Sequence, residues 1–182
     1  MLTREEMLEL LADCTDQELA VAVTAASAQR KASAGDLYFL HHFYGERLVA
    51  ADARAGEFAL ELPIAPALLN PAGMVHGGVI ATLCDDVMGF ASHSTIGRPG
   101  VTLDMTVRYH RPGRGTALIA TARIVSAARL LQSAECTVRD DQGRIVATAS
   151  GAFYHRQAPD GSSAPSAAAT ARPSERSAHS RY

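Results

Sequence analysis

The sequence predicts an α+β domain in which a curved antiparallel sheet wraps around one long helix, with a helical extension in front of it. Three patterns point there. Val79, Ile80, Leu83, Cys84, Val87, Phe90 and Ala91 fall on one broad arc at helical spacing, as in a helix with a single buried face. From 101 to 110, Val101, Leu103, Met105, Val107 and Tyr109 alternate with Thr102, Asp104, Thr106, Arg108 and His110, the period of a half-buried antiparallel strand. Turn chemistry at Arg54-Ala55-Gly56 and at Asp140-Asp141-Gln142-Gly143 separates apolar runs in the manner of hairpins.

Residues 1–45 read as the helical extension. Thr3-x-x-Glu6 and Thr15-x-x-Glu18 are capping-box patterns ahead of apolar stretches and predict two short helices, expected to dock on the core or lengthen an oligomer contact. Residues 46–156 read as the main domain, in the order strand, strand, helix, four strands. Phe58, Leu60 and Leu62 alternate with Glu57, Ala59 and Glu61, which predicts a hairpin strand with one wet face. The helix runs from His76 to Ser94, and Arg111-Pro112-Gly113-Arg114-Gly115 turns the chain after the alternating strand. Packing the apolar arc of that helix on the sheet gives the α+β layers. Residues 157–182 are rich in Ala, Ser, Pro and Arg with almost no large aliphatic side chains, so a disordered tail is expected.

Composition bounds the function. With 182 residues, 47% of them hydrophobic, the chain can bury one core but scarcely two. A formal net charge of -2, and N-terminal helices carrying Glu5, Glu6, Glu9, Asp13, Asp16 and Glu18, argue against nucleic acid as a partner. No apolar run is long enough to span a bilayer, and the N-terminus is acidic and amphipathic, unlike a secretory signal, so a cytoplasmic location and no membrane partner are expected. Cys14, Cys84 and Cys136 are odd in number without a Cys-x-x-Cys spacing, which argues against a disulfide framework and against zinc. Cys84 and Cys136 read as small core residues. Without a His-x-x-x-His or a His and carboxylate cluster at ligand spacing, neither a metal nor another cofactor is expected.

The chemistry concentrates at Asn70-Pro71-Ala72-Gly73-Met74-Val75-His76-Gly77-Gly78, which runs straight into the helix bearing Asp85 and Asp86. The first amides of a helix lack intrahelical acceptors and carry partial positive charge, so a polarised carbonyl is stabilised at Gly77 and Gly78, where glycine lets a ligand touch the backbone. His76 and Asp85 are nine residues apart, about 13 Å of helix at ~1.5 Å per residue, too far for one chain to close both on one small group. A partner subunit would solve this. Asp85 lies opposite the apolar arc, beside the small residues Ala81, Gly89 and Ser92, where a substrate or second chain could approach. Asp86 projects about 100° away and reads as a helix-surface carboxylate. His41-His42 and His93 read as local packing and a helix-end histidine, and Arg108, Arg111 and Arg114 cluster around one strand end as candidates for phosphate recognition.

These residues resemble the hotdog-fold acyl-CoA thioesterases, in particular the phenylacetate-pathway (PaaI-like) branch, in which an Asn, a Gly, a His-Gly-Gly and a helix Asp recur in this order. The match here is Asn70, Gly73, His76-Gly77-Gly78 and Asp85, followed by Val101-Thr102-Leu103-Asp104-Met105 at the start of a strand, and covers residues 40–155. The resemblance selects Asp85 over Asp86. It implies hydrolysis of an acyl-CoA thioester to the free acid and CoA, with Asp85 as nucleophile or general base and the Gly77 amide polarising the carbonyl. Asn70, His76, Gly78 and Thr102 would bind or orient the substrate or water, and the three arginines would meet the CoA phosphates. It also implies a homodimer or homotetramer with active sites between subunits; the small residues Ala81, Gly89 and Ala91 around the helix suggest room for an aryl or medium-chain acyl group. Two rivals differ on particular residues. A non-catalytic acyl-CoA-binding module gains nothing from an anion at Asp85 beside a thioester. A dehydratase or hydratase of the same fold would use a His and a carboxylate but resembles this loop less, since the Pro-Gly-rich entrance is missing.

Overall fold

The computed structural model describes residues 2–35, 38–98 and 100–156, so the tail expected to be disordered lies outside the described residues. Helices α1 (Arg4–Ala12), α2 (Asp16–Ser33) and α3 (Phe39–Tyr44) precede strands β1 (Arg47–Asp52) and β2 (Glu57–Pro63). After a 3-10 turn come α4 (Gly77–Ile96) and then β3 (Val101–Tyr109), β4 (Ala117–Ala127), β5 (Leu131–Asp140) and β6 (Ile145–Tyr154). The strands form one six-stranded antiparallel sheet in the order β1-β2-β4-β5-β6-β3. The expected element order of the main domain is therefore the observed one.

Both capping boxes are present. Thr3 Oγ1 accepts from Glu6 N–H while the Glu6 carboxylate accepts from Thr3 N–H, and Thr15 and Glu18 repeat the exchange, satisfying amides that the first turn cannot. The second helix is longer than the short element expected, at 18 residues. The extension buries little: α1 has no buried residue and α2 buries only Ala28. Among the described residues, no helix is long and apolar enough to cross a membrane.

The core lies between α4 and the concave face of the sheet. Small side chains on that face, including Ala120, Ala134 and Ala147, let the helix approach closely, and Leu83, Cys84, Val87 and Ala91 are fully enclosed against it. At Gly151 on β6 an added Cβ would come within 3.4 Å of Met88 Cε and 3.0 Å of the Asp104 carbonyl, so a side chain there would crowd the β3 backbone. The buried arc is wider than the one expected, taking in Met88 and Ser92, while Phe90 is only partly buried. The sheet curls around the helix instead of lying flat beneath it. Truncation at the centre of this contact, Leu83→Ala, is expected to cost about 2–5 kcal/mol, read as a lowered midpoint in urea unfolding without a change in slope.

The alternating strand is where the structure departs most from the expected pattern. β3 is a sheet edge, and Val101 and Leu103 are 59% and 58% exposed instead of half-buried. A β-bulge between Thr102 and Asp104 breaks the phase: Thr102 pairs with buried Phe153, and beyond the bulge Met105 pairs with Gly151. One extra residue on β3 thus turns Thr102 to the same face as Met105, Val107 and Tyr109, toward α4.

Candidate active site

The loop before α4 is shaped by its own polar groups. Asn70 Oδ1 accepts from Ala72 N–H at 3.0 Å and Met74 N–H at 3.2 Å, and Asn70 N–H donates to the Met74 carbonyl at 2.8 Å. Gly73 takes a left-handed φ of 67° in this turn, a conformation that favours glycine. Val75 N–H then donates to the Gly113 carbonyl and His76 N–H to that of Leu68, which fixes the loop on both sides. Asn70 therefore spends its carbonyl oxygen on the loop that carries His76.

His76 is the N-cap of α4 but makes no side-chain capping bond, and His76, Gly77 and Gly78 are exposed. The helix begins with two exposed glycines whose amides have no intrahelical acceptor, a position that suits an oxyanion. The Tyr109 hydroxyl donates to the Gly77 carbonyl at 2.7 Å and so pins this first turn to the far end of β3. Burial pushes the Tyr109 hydroxyl above its ordinary value, keeping it a donor. Tyr109 was visible in the sequence only as an apolar position of the alternating strand, and only the phase of that strand after the bulge aims it at Gly77.

Two turns along the helix, half-buried Asp85 accepts a 2.8 Å hydrogen bond at Oδ1 from Thr102 Oγ1. The bulge delivers that hydroxyl. Asp85, Thr102, Phe90 and Phe153 line a cavity of about 770 Å³ that also reaches Tyr38 and Phe39 of the N-terminal segment. Within one chain the structure brings Thr102 to Asp85 and Tyr109 to Gly77, at two stations along the same helix. The Thr102→Val variant keeps the shape of the side chain and deletes its donor. For the turnover proposed below, it is expected to lower kcat about ten- to hundredfold with KM little changed, the worth of a hydrogen bond to a charged group.

Asp86 is not the helix-surface carboxylate expected. It is half-buried beside Glu46, the residue that follows the α3 C-cap. Burial first, then the charge of Glu46, a hydrogen bond with it and the charge of Asp85 push Asp86 up to about 8, with His41 opposing. Glu46 is pushed up to about 7 by burial, opposed by its hydrogen bond with Asp86. His41 Nδ1 lies 3.2 Å from Glu46 Oε2, and its ring meets Phe90 edge-on with centroids 5.5 Å apart. A pattern confined to α4 could not show this, because the partners come from forty residues upstream.

Two other expectations change. Ser92 does not line an open strip beside Asp85: it is 1% exposed, and its hydroxyl lies 2.6 Å from Gln132 Oε1 and 2.7 Å from His155 Nε2. The arginines do not form one cluster. Arg108 and Arg111 line a second, open cavity of about 560 Å³ with His110 and Thr148. Arg114 instead donates to the Ala72 carbonyl on the Asn70 loop. The cause is Gly113, where an added Cβ would meet Ile80, Val75 and Leu118 at 3.2–3.4 Å; the turn dips into the core there and separates Arg111 from Arg114. Cys84 and Cys136 are buried core residues as expected, and the hydrogen bond that the Cys136 thiol makes to Cys84, then burial, push Cys136 up.

Comparison with known proteins agrees with this architecture. The sequence profile of the thioesterase superfamily matches residues 72–147, from the glycine loop to β6. A Halobacterium salinarum protein that carries an esterase designation is 39% identical over 94 residues, 48% of this chain and 62% of that protein, so the match spans less than two thirds of the relative. Acyl-coenzyme A thioesterase 13 of Mus musculus is 29% identical over 105 residues, 56% of this chain and 75% of the mouse protein. The BH2602 protein of Bacillus halodurans, solved with CoA, superimposes with a TM-score of 0.70 at 30% identity, over 82% of this chain and 99% of that one. A helix wrapped by a six-stranded antiparallel sheet, a glycine-opened helix start, and a profile match that runs from that start through α4 to β5 and the beginning of β6 place the chain in the thioesterase superfamily of hotdog proteins, to which it belongs.

Proposed function

We propose that the protein hydrolyses acyl-CoA thioesters to the free acid and CoA. The observation that carries this reading is Asp85: a carboxylate oriented by the Thr102 hydroxyl at 2.8 Å and opening on a cavity, on the same helix that opens with two exposed glycines. A binding module has no use for an anion there. In the proposed reaction the thioester carbonyl sits on the Gly77 amide, with Gly78 leaving room for the ligand and His76 orienting substrate or water. Asp85 either takes a proton from the attacking water or attacks the carbonyl carbon itself, expelling the CoA thiolate and leaving an anhydride for water to open.

Gly77 and Asp85 lie eight residues apart on one helix, which supports a site completed by a second copy, Asp85 of one chain facing Gly77 of another. The β3 edge, with unpaired backbone and exposed Val101 and Leu103, is a surface on which two sheets can join, as a homodimer or within a homotetramer. Aromatic side chains on the cavity wall, Phe90 and Phe153 with Tyr38 and Phe39 at its rim, favour an aryl acyl group of the phenylacetyl kind over a medium chain. The relatives named with CoA support coenzyme A as the carrier. Arg108 and Arg111 are the candidates for its phosphates, with Arg114 acting through the loop it holds. A cytoplasmic location belongs to this reading.

The test is thiol release from a panel of aryl- and fatty-acyl-CoA thioesters. Turnover with an aryl preference supports the reading. Binding of CoA ligands without turnover of any thioester overturns it in favour of an acyl-CoA-binding protein.

A further inference from the structure

Glu46 and Asp86 take no part in the chemistry proposed above, yet they sit beside its centre. The Glu46 side chain is 0% exposed. Asp86 follows Asp85 on α4 and shares the wall of the same cavity. His41 satisfies one Glu46 oxygen, Oε2, at 3.2 Å. The oxygens left over, Glu46 Oε1 and Asp86 Oδ2, are both buried, and among the described residues no other group donates to either. Two carboxylates can only accept, so while both are ionised neither oxygen can be satisfied by the other, whereas a single proton between them satisfies both. Phe90, one turn after Asp86, packs against the ring of His41, so the pair lies in the seam where α3 meets α4.

We propose that Glu46 and Asp86 share one proton across this seam and that the pair is a positioning element, holding the Asp85 segment of α4 in register with Thr102. The shared proton stands on the seam itself; the positioning of Asp85 rests on the hydrolysis proposed above.

The charged groups facing the pair are His41 from α3 and Asp85 from α4, with His93 and His155 also on the cavity wall. Burial holds both acids high, Glu46 to about 7 and Asp86 to about 8, and the two values belong to one coupled titration. Loss of the proton leaves two like charges facing each other in the seam with Asp85 one residue away. The seam must then open or take up water, and the Asp85 to Thr102 hydrogen bond is displaced. The rate should therefore fall on the alkaline side through a pair that makes and breaks no bond in the reaction. The sign for stability follows from the same shifts. Folded values raised above ordinary carboxyl values mean that stability is fullest in acid, below those ordinary values, and declines as pH rises through about 8.

Two measurements on the full chain test this. Side-chain carboxyl 13C NMR, without substrate, follows the pair in wild type, Glu46→Gln and Asp86→Asn. The expected result is two carboxyls titrating together near neutrality, with Glu46→Gln lowering Asp86, which loses the charge of Glu46, and Asp86→Asn leaving Glu46 raised by burial but titrating alone. Both acids titrating in the ordinary carboxylate range in wild type would overturn the shared proton. The second measurement is kcat and KM against pH, with thermal midpoints over the same range. One pH unit above the pair's upper value, wild type should have lost about tenfold in kcat relative to its own neutral rate, KM unchanged, while Asp86→Asn, whose amide mimics the protonated acid, has no such limb. Its thermal midpoint should also fall less with rising pH. An alkaline limb unchanged in both Asp86→Asn and Glu46→Gln would overturn the positioning role. A wild type that turns over no thioester would overturn that role together with the proposed function, while the NMR titration still decides the shared proton.

Discussion

Replacing Asp85 with Asn is expected to lower kcat/KM for the best acyl-CoA substrate roughly 10²–10⁴-fold, the range in which a positioned base or nucleophile contributes, while thermal stability and oligomeric size stay those of the wild type. The substitution is nearly isosteric, and Asn Oδ1 still accepts from Thr102, so the bulged start of β3 keeps its contact with α4. What disappears is the negative charge and the basic lone pair. If activity persisted within a few-fold, the carboxylate would be a bystander and the assignment of chemistry to this helix would be wrong. The two possible routes separate by trapping: a carboxylate that attacks the carbonyl passes through an anhydride that hydroxylamine intercepts as the hydroxamate, whereas a base that activates water offers nothing to trap. The Thr102→Val effect should vanish in the Asp85→Asn background, because the hydroxyl acts only through the carboxylate it orients.

The parts of the molecule that depend on neighbours in sequence could be read from the sequence. The two capping boxes, the glycine-opened helix and the hairpin at Asp140 to Gly143 are each decided within a few residues, and each is found where its residues put it. The parts that depend on register or on distant chain could not. The alternation from Val101 to Tyr109 is uninterrupted in the sequence, so nothing in it reveals the bulge that turns Thr102 to the helix, or that β3 lies at an edge. Apolar residues on that edge face solvent in the single chain, and their pattern is the same one that a strand buried by its own chain would show. Glu46 carried no motif at all; it matters because α3 sets it against Asp86. The spread of Arg108, Arg111 and Arg114 failed for a similar reason, since a glycine can sit in a surface turn or, as Gly113 does, against the core, and only packing decides.

Gly77→Pro is expected to lower kcat roughly 10²–10³-fold, the measured worth of one oxyanion donor, with little loss of stability. The substitution removes the amide hydrogen and sets a pyrrolidine ring where the thioester carbonyl would approach, both of which act on the substrate and not on the fold. Gly77 is the first residue of α4, where proline is favoured because that amide has no intrahelical acceptor. His76 already has φ -55° and ψ 138°, the conformation that a following proline demands. A Cβ at position 77 meets the Tyr109 ring and hydroxyl at 3.4 Å, an ordinary contact. Gly77→Pro and Asp85→Asn then test the proposed site between subunits, because each inactivates a different half of it. Neither variant should turn over thioester alone. Co-refolded in equal amounts, half of the resulting dimers would pair one of each, and in such a dimer one site carries both lesions while the other carries neither. Activity should return to about a quarter of the wild-type value, since one site in two is intact in half of the dimers. If Gly77 and Asp85 of the same chain served one site, every site in the mixture would carry a lesion and no activity would return. Appearance of that quarter would therefore assign the carbonyl-binding amide and the carboxylate of each site to different chains.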